Sequence, residues 1–431
     1  MTIKRLWITI TIVSVLTVPL STWATNGYWS LGYSTKSRSV ANACVAMVLD
    51  AACSASNPAT MAHLGNRMEA GISLFSPSRG FTSNDDASPT IPPAHITPGE
   101  YESDNEYFPI PNFAYNTMLD NTSSLGIIVG ANGGMNTEYN DKVFSNFADP
   151  RFPEMAPSSP TGIDLMQLFV GIAYAKKLNA QHTIGIMPML SIQTLSVDGL
   201  QPFTPFSMHP TKVTNNGRDV SYGAGLRLGW LWQVNEQLNI GASYQTKNWM
   251  TNFDEYKGLL AEEGDFDIPS NFDLGFAYKP TPELTFSFDY QRIYFSKVNA
   301  LGNPSDLVFM PGSILMGTSD GLGFGWKDIN IYKLGLKWEY SSDVTFLAGF
   351  AKGSEAFSAG QALFNTLAPA TVREHYTLGV SKKIGKDQEV DFGFAYAPKK
   401  TVYGTNPNTG PQTGSVQMRQ WQLSFGWNWY F

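Results

Sequence analysis

Residues 421–431 read WQLSFGWNWYF, and this stretch decides the fold class. Trp421, Leu423, Phe425, Trp427, Trp429 and Phe431 alternate with smaller or more polar residues. A period of two is typical of a β-strand with one apolar face. Few soluble proteins could bury so aromatic a face, whereas a strand of roughly 9–11 residues crosses the membrane hydrocarbon when tilted. The stretch therefore predicts a strand of a transmembrane β-barrel.

Similar segments recur from about residue 68 to the end of the chain. Residues 284–290, 332–340 and 390–396 each alternate large apolar side chains with small or polar ones. Such a second face is expected of a barrel lumen. A large soluble β-protein is the alternative, but it would need a buried partner for every aromatic face.

The connections between these segments alternate in length. Short turns are predicted near residues 120–123, 178–181, 235–237, 280–283, 341–343 and 385–388. Long segments are predicted near 79–104, 138–161, 199–216, 250–268, 298–326, 354–369 and 402–414. Outer-membrane barrels have short periplasmic turns and long external loops. We therefore predict an all-β, antiparallel barrel of about fourteen strands over residues 66–431, in the bacterial outer membrane.

Two N-terminal regions precede the barrel. Residues 1–24 have a basic start at Lys4 and Arg5, an apolar run and a small-residue cleavage site, so we expect a secretory signal peptide. Residues 25–65 are rich in small residues and lack strand alternation. A fourteen-stranded lumen is wide enough for polypeptide. We therefore expect residues 25–65 to form a plug (hatch) inside the barrel rather than a free periplasmic tail.

The composition restricts the function. Charged residues make up 15% of the chain and the formal net charge is −7, which argues against nucleic acid as a partner. Cys44 and Cys53 are the two cysteines. In an exported protein they form either a disulfide or two unpaired buried thiols, and both interpretations stay open.

The sequence offers little for catalysis. His63, His95, His182, His209 and His375 have no metal-ligand spacing, and no zinc motif, phosphate loop or EF-hand loop occurs. His375 is expected to be a solvated surface histidine rather than the partner of a nucleophilic serine. We therefore expect no enzyme activity, no metal and no cofactor.

Gly133 and Gly134 interrupt an otherwise regular apolar strand. Glycines inside a strand mark a bulge, a bend or a close backbone approach, although a Gly-rich strand end entering a loop is the alternative. The preceding strand contains Pro109 and Pro111, which cannot donate ladder hydrogen bonds. Both signals predict weak pairing between these two strands.

Four segments resemble the FadL family of outer-membrane transporters for long-chain fatty acids and other hydrophobic compounds. Asp50-Ala51 followed by Asn57, Pro58 and Ala59 resembles the family's hatch motif. Residues 130–139, GANGGMNTEY, resemble its inwardly kinked third strand, and residues 162–168 and the aromatic last strand also fit. The resemblance implies passive uptake, with lateral exit through the wall at Asn132, Gly133 and Gly134.

Apolar residues in the long segments are candidates for ligand capture. Phe203, Phe206 and Met208 lie in the third segment, Leu259 and Leu260 in the fourth, and Met310, Leu315 and Met316 in the fifth. They form either a groove for a hydrophobic ligand or packing between loops, and the two are compatible.

Basic residues are candidates for a ligand headgroup. The family resemblance implies a cation near the headgroup, and Lys327 is the candidate at the start of the tenth strand. By alternation Arg227, Lys333 and Lys337 should face the lumen. There they either meet the ligand or pair with luminal carboxylates.

We predict that the protein takes up long-chain fatty acids or other hydrophobic small molecules passively and releases them into outer-membrane lipid, as a monomer. Two alternatives remain open, namely an aromatic-hydrocarbon transporter of the same family and a general-diffusion porin. The porin hypothesis requires a wide polar lumen and ion conductance.

Overall fold

The computed structural model of the protein describes residues 26–87, 95–306, 312–406 and 412–431. The predicted signal peptide and Met310 lie outside these described residues. Within them, no helix is long and apolar enough to span a membrane.

The described strands form one antiparallel sheet that closes on itself. Fourteen long strands build the barrel, and the two short strands Gly99–Glu102 and Trp249–Met250 pair with β1 and β6. The barrel strands are β1 Arg67–Ser83, β2 Phe108–Met118, β3 Ser123–Tyr139, β4 Thr161–Lys177, β5 His182–Asp198, β6 Asp219–Gln233, β7 Leu238–Gln245, β8 Asn271–Thr281, β9 Leu284–Ile293, β10 Ile329–Glu339, β11 Val344–Gly353, β12 Glu374–Lys383, β13 Gln388–Asn406 and β14 Gln412–Tyr430.

Closure joins the first and last barrel strands. β1 pairs with β14 from Arg67 opposite Tyr430 to Ser83 opposite Gly414. The aromatic stretch at residues 421–431 is thus the last strand of a barrel, and the prediction of about fourteen antiparallel strands is confirmed. Long and short connections alternate as predicted between residues 84 and 387. The long loops are named here L1 (84–107), L2 (140–160), L3 (199–218), L4 (246–270), L5 (294–328) and L6 (354–373). The predicted long segment at 402–414 is wrong in its bounds, because β13 continues to Asn406 and β14 begins at Gln412, and residues 407–411 lie outside the described residues.

Side chains alternate between an apolar outer face and a polar inner face. On β9, Phe286 is 44% exposed, whereas Ser287 and Asp289 are buried. An outward Phe is stabilised by lipid, and an inward Asp finds polar partners in the lumen. The same alternation corrects the expectation for His375, which is 1% exposed because its neighbour Tyr376 takes the outward position. The histidine Nε2 lies 3.1 Å from Nε2 of Gln420.

Helical elements are short and lie outside the barrel strands. The α-helices are Thr35–Ser39, Ala261–Gly264 and Asn299–Gly302. The 3₁₀ helices are Ala52–Ala55, Pro58–His63, Ser145–Phe147, Pro153–Met155, Gln201–Phe206, Pro210–Lys212, Asp254–Tyr256, Phe295–Lys297, Ala359–Gln361 and Leu363–Thr366.

Residues 26–65, the N-terminal segment, are almost entirely buried against inward-facing residues of the barrel strands. The Val45 N–H donates to Asp289 Oδ2 at 2.9 Å, and the Ala51 N–H donates to Glu69 Oε1 at 2.8 Å. Within the segment, Cys44 and Cys53 form a disulfide with their Cα atoms 5.9 Å apart. Hydrogen bonds to β1 and β9 thus tie the segment to distant parts of the wall.

Leu423→Lys tests which face of β14 meets lipid. Leu423 is 50% exposed and lies opposite Leu74 and Phe394, which are also outward. A lysine at mid-membrane depth should lower the free energy of unfolding in lipid vesicles by about 2–4 kcal/mol. The control Tyr403→Lys, near the loop end of β13, should cost about 0–1 kcal/mol. Equal costs in urea titrations would contradict this assignment of the outer face.

Candidate functional site: a gap in the barrel wall and an apolar loop pocket

Strands β2 and β3 pair over only part of their length. Their ladder runs from Met118 opposite Ser124 to Phe113 opposite Val129 and then stops. Beyond this point β3 stays paired with β4 as far as Tyr139. Its register with β4 shifts between Ala131 and Gly133, so Asn132 is the additional residue of a bulge. The bulge separates β3 from β2.

The wall gap lies between residues 108–112 of β2 and residues 130–137 of β3. Loop L1 closes it towards the loop end of the barrel. There the Ser103 N–H donates to Arg79 O and the Asp104 N–H donates to Glu138 O, both at 2.9 Å. The gap is therefore bounded above and below by backbone hydrogen bonds.

The N-terminal segment covers the free edge of β3 inside the gap. The Ser30 N–H donates to Asn132 O at 2.9 Å, and the Gly134 N–H donates to Tyr28 O at 3.1 Å. A Cβ atom on Gly133 would lie 2.0 Å from Tyr28 O, so this close approach requires glycine. Opening the gap from inside would therefore break these two hydrogen bonds.

Side-chain amides connect the bulge to loop L4. Asn132 Nδ2 donates to Gln167 Oε1 at 3.0 Å, and Gln167 Nε2 donates to Gln193 Oε1 at 2.8 Å. Gln193 Nε2 then donates to Phe266 O at 2.7 Å. Buried amide chains of this kind fix the positions of their members, because a lost partner leaves a costly unsatisfied group.

Asn57 fixes the N-terminal segment from within. Its Oδ1 accepts from the Ala59 N–H at 3.1 Å and caps the 3₁₀ helix Pro58–His63. Its Nδ2 donates to Val45 O at 2.7 Å and to Trp230 O of β6 at 2.9 Å. Ala59 is fully buried, and a Cβ on Gly185 of β5 would lie 2.3 Å from its nitrogen. Asn57, Pro58 and Ala59 thus lie directly against the wall.

An apolar pocket, called the loop pocket, lies among loops L2 to L6. Its volume is about 60 Å³, well below the roughly 300–1,000 Å³ of typical ligand sites. It is lined by Phe144, Ile163, Val197, Leu200, Phe203, Leu259, Leu260, Ala300, Ser305, Met316, Leu322, Gly323, Phe324 and Leu367. Even a ligand of one aromatic ring must therefore move lining side chains, since a cavity that binds benzene has about 150 Å³.

The structure brings together four of the predicted capture residues, Phe203, Leu259, Leu260 and Met316. Phe206, Met208 and Lys327 do not line the loop pocket. Met208 is 44% exposed because it alternates with buried Ser207, and Lys327 is exposed because it alternates with buried Trp326. Phe206 is half-buried, and its carbonyl accepts from the Met316 N–H at 2.9 Å.

The luminal cations predicted by alternation are paired with carboxylates. Arg227 Nη1 lies 3.4 Å from Asp273 Oδ2, and Lys333 Nζ lies 3.9 Å from Asp273 Oδ1. Lys337 Nζ lies 2.6 Å from Glu339 Oε1. The sequence left open whether these cations meet the ligand or pair with luminal carboxylates. In the structure they pair with carboxylates.

A second, smaller cavity lies beside the wall gap, and the sequence did not indicate it. This gap cavity, about 10 Å³, is lined by Pro77, Arg79, Met135, Asn136, Trp326, Ala368, Pro369, Ala370 and Met418. Trp326 lies between the gap cavity and the loop pocket. It lines the gap cavity, and its ring centroid is 6.0 Å from that of Phe324, which lines the loop pocket. Trp326 Nε1 donates to Asn365 Oδ1 at 2.7 Å, which fixes the indole.

Comparisons with known proteins agree with this geometry. The model of the family described as outer membrane protein transport protein (OMPP1/FadL/TodX) matches residues 24–429. Outer membrane protein P1 of Haemophilus influenzae is 22% identical over 319 residues, covering 68% of this chain and 67% of its own length.

Solved structures with the same fold cover nearly the whole chain. The Pseudomonas putida toluene transporter TodX has a TM-score of 0.68 at 18% identity, covering 93% of this chain and 99% of its own. A Pseudomonas aeruginosa FadL homologue has a TM-score of 0.67 at 12% identity, covering 94% of this chain and 100% of its own.

Asn57→Ala tests how the N-terminal segment is fixed. The variant loses two donated hydrogen bonds and one helix cap, each worth about 1 kcal/mol or more. We expect amide exchange in residues 57–63 to accelerate at least tenfold while the barrel stays folded. Asn235→Ala removes an amide from an exposed turn and is the control. Unchanged exchange in Asn57→Ala would show that the cap does not hold the segment.

Asp265→Asn tests the pH response of loop L4. Burial, together with the carboxylates of Asp267 and Glu262, raises the pKa of Asp265 to about 7. The protonated acid is therefore favoured in the folded loop, and stability is lost as pH rises from the unfolded pKa near 4 through 7. We expect intrinsic-rate-corrected amide exchange in residues 251–268 to increase over this range in the wild type and not in the variant. Asp254→Asn, on the exposed side of L4, should respond like the wild type.

Proposed function

Because this chain belongs to the outer membrane protein transport protein family (OMPP1/FadL/TodX), we propose that it takes up hydrophobic small molecules, long-chain fatty acids first among them, by lateral release through the wall gap. The single observation that carries this proposal is the early end of the β2–β3 ladder at Phe113 and Val129. A membrane-embedded sheet leaves backbone groups unpaired only where something else satisfies them. Here the N-terminal segment does so, and it is a separable partner.

The proposed route begins in the loop pocket. A hydrophobic ligand enters among Phe203, Leu259, Leu260 and Met316, whose apolar surfaces replace water around it. Met316 suits varied ligand shapes, since methionine is unbranched and flexible. The pocket is small, so its side chains separate as the ligand enters.

The next step takes the ligand past Trp326 towards the wall gap. The N-terminal segment acts in this proposal as the plug, and residues 28–30 leave the edge of β3 to open the gap. The hydrogen bonds that are broken are few, and lipid or ligand contacts offset part of their loss. The filled lumen favours this route over general diffusion, because the segment and the wall are hydrogen-bonded across the barrel.

Lateral release is also favoured by solvation. Moving an alkyl chain into water costs roughly 0.8 kcal/mol per CH₂. A ligand that passes sideways into the outer membrane never incurs this cost. We propose that the molecule acts in this way as a passive channel without chemical change of its cargo.

Monoaromatic hydrocarbons are the second candidate cargo. The loop pocket is small, so a single ring needs less rearrangement of its lining than a long alkyl chain, and Phe144, Phe203 and Phe324 line it. TodX, TbuX of Ralstonia pickettii and CymD, described as toluene transporters or a monoaromatic hydrocarbon channel, share the fold. Competition between labelled toluene and oleate for the purified protein separates the two candidates.

Deleting Asn132 tests lateral release. Ala131 pairs with Leu168 and Gly133 with Gln167, so removal of the one residue between them makes the register with β4 continuous. We expect β3 to straighten along β2 and the uptake of labelled oleate or toluene into cells to fall at least tenfold.

Asn132→Gln keeps the additional residue and an amide that can donate to Gln167, and it is the matched control, with uptake within about threefold of the wild type. Heat-modifiable mobility on gels verifies that both variants fold. Normal uptake by a folded deletion variant would refute exit through the wall gap.

A further inference from the structure

Arg79, positioned across the wall gap, is a buried cation that forms no ion pair with the described residues, and the carboxylates of Glu106, Glu138 and Asp164 act on it only from beyond 4.0 Å. Its side chain is 4% exposed, and no carboxylate oxygen among the described residues lies within 4.0 Å of it. Nη1 donates to Asn136 O and, at 3.2 Å, to Asn136 Oδ1. Among the described residues, neither Nε nor Nη2 has a hydrogen-bond partner. Two of the three guanidinium nitrogens are therefore buried and unsatisfied.

Other buried cations of the described barrel are satisfied differently. Lys36 forms an ion pair with Glu389, and Arg227 pairs with Asp273. Arg38 in the N-terminal segment also lacks a carboxylate within 4.0 Å among the described residues, but Nε is its one fully buried nitrogen without a partner there, and Nη1 donates to Ser73 Oγ at 2.9 Å. A buried charge without an ion-pair partner is costly, and an anionic ligand would offset part of this cost.

The surroundings of Arg79 suit an amphipathic anion. Its guanidinium lies 5.3 Å from the centroid of the Phe108 ring and lines the gap cavity with Met135 and Trp326. The cavity, about 10 Å³, has room for about one water molecule. A head that fits here is small, and the chain attached to it meets apolar walls.

The height of Arg79 in the wall matches a membrane interface. Below it on β1 the outward residues Ile72 and Leu74 are apolar and exposed. At its own level the outward residues are Ser78 and Arg419, which lie opposite each other. An amphiphile whose head rests at Arg79 can therefore extend its chain through the gap into the apolar layer.

We propose that Arg79 forms an anion site at the exit, which holds the carboxylate of an alkyl-chain cargo while its chain enters the lipid. The inference rests on the proposed lateral release and adds the class of headgroup that the gap recognises. Nε and Nη2 point in one plane and donate two parallel hydrogen bonds to a carboxylate, the geometry that guanidinium groups favour.

Equilibrium binding of radiolabelled oleate and oleyl alcohol to the purified full-length protein in detergent tests this site. The two probes share one chain and differ in the head. Above the carboxyl pKa, the wild type should prefer oleate. Arg79→Gln keeps an amide donor for Asn136 O but removes the charge, so oleate affinity should fall about ten- to a hundredfold and alcohol affinity less than threefold.

Two further variants separate charge at the exit from other effects. Arg79→Lys keeps the charge without the fork and should give an intermediate ratio of the two affinities. Arg38→Gln removes another buried cation away from the gap cavity and should leave the ratio unchanged.

The possible outcomes are distinct. Equal affinity of the wild type for both probes, which needs no variant to fold, overturns the anion site but leaves hydrophobic uptake intact. Equal loss of both probes in folded Arg79→Gln also overturns it and assigns Arg79 to holding β3. Absence of binding by oleate, oleyl alcohol and toluene would refute the proposed function itself.

Discussion

The satisfaction of backbone hydrogen bonds in an apolar medium is the constraint on which this structure depends. A β-barrel meets it by closing, and pairing of β1 with β14 along the whole of β1 does so here. Closure also explains why outward positions are apolar while inward positions hold Asp273, Asp289 and their basic partners. Among the described strands, the ladder between β2 and β3 is interrupted locally, and there the N-terminal segment satisfies the free sheet edge from inside. The wall gap and the buried N-terminal segment thus depend on each other, because the segment satisfies the backbone groups that the gap leaves unpaired.

The wall gap and the loop pocket are connected by packed side chains rather than by open space. Trp326 lies between them, and the amides of Asn132, Gln167 and Gln193 run from the bulge to loop L4. A rearrangement of L4 would therefore act on the same hydrogen-bond chain that includes Asn132 of the bulge. This series of hydrogen bonds physically connects the loop pocket with the wall gap. The free energies of the closed and open arrangements decide whether a ligand in one site changes the other site.

Much of the fold could be predicted from alternation alone. A strand with one face in lipid alternates apolar and polar side chains every two residues. The strand at residues 421–431 and the positions of the six short turns could therefore be predicted. Loops have no such period. Phe203 and Met316 could be identified as apolar loop residues, but the sides on which Met208 and Lys327 lie depend on local alternation with Ser207 and Trp326.

Arg79 was missed because residues near it were assigned to a loop, whereas β1 continues to Ser83. The sequence does not show whether a buried arginine has hydrogen-bond and ion-pair partners, because these depend on the three-dimensional structure. The prediction of an exposed His375 was wrong for a related reason. Its burial follows from its inward position in the alternation of β12 and not from its residue type.

The contacts of the N-terminal segment also restrict the order of assembly. Its hydrogen bonds reach Glu69 on β1, Trp230 on β6, Asp289 on β9 and Thr377 on β12. No half of the barrel offers this complete set, so the segment's binding surface exists only once strands from both halves have come together. We therefore expect residues 26–65 to reach their final place late in assembly, after strands of both halves have come together.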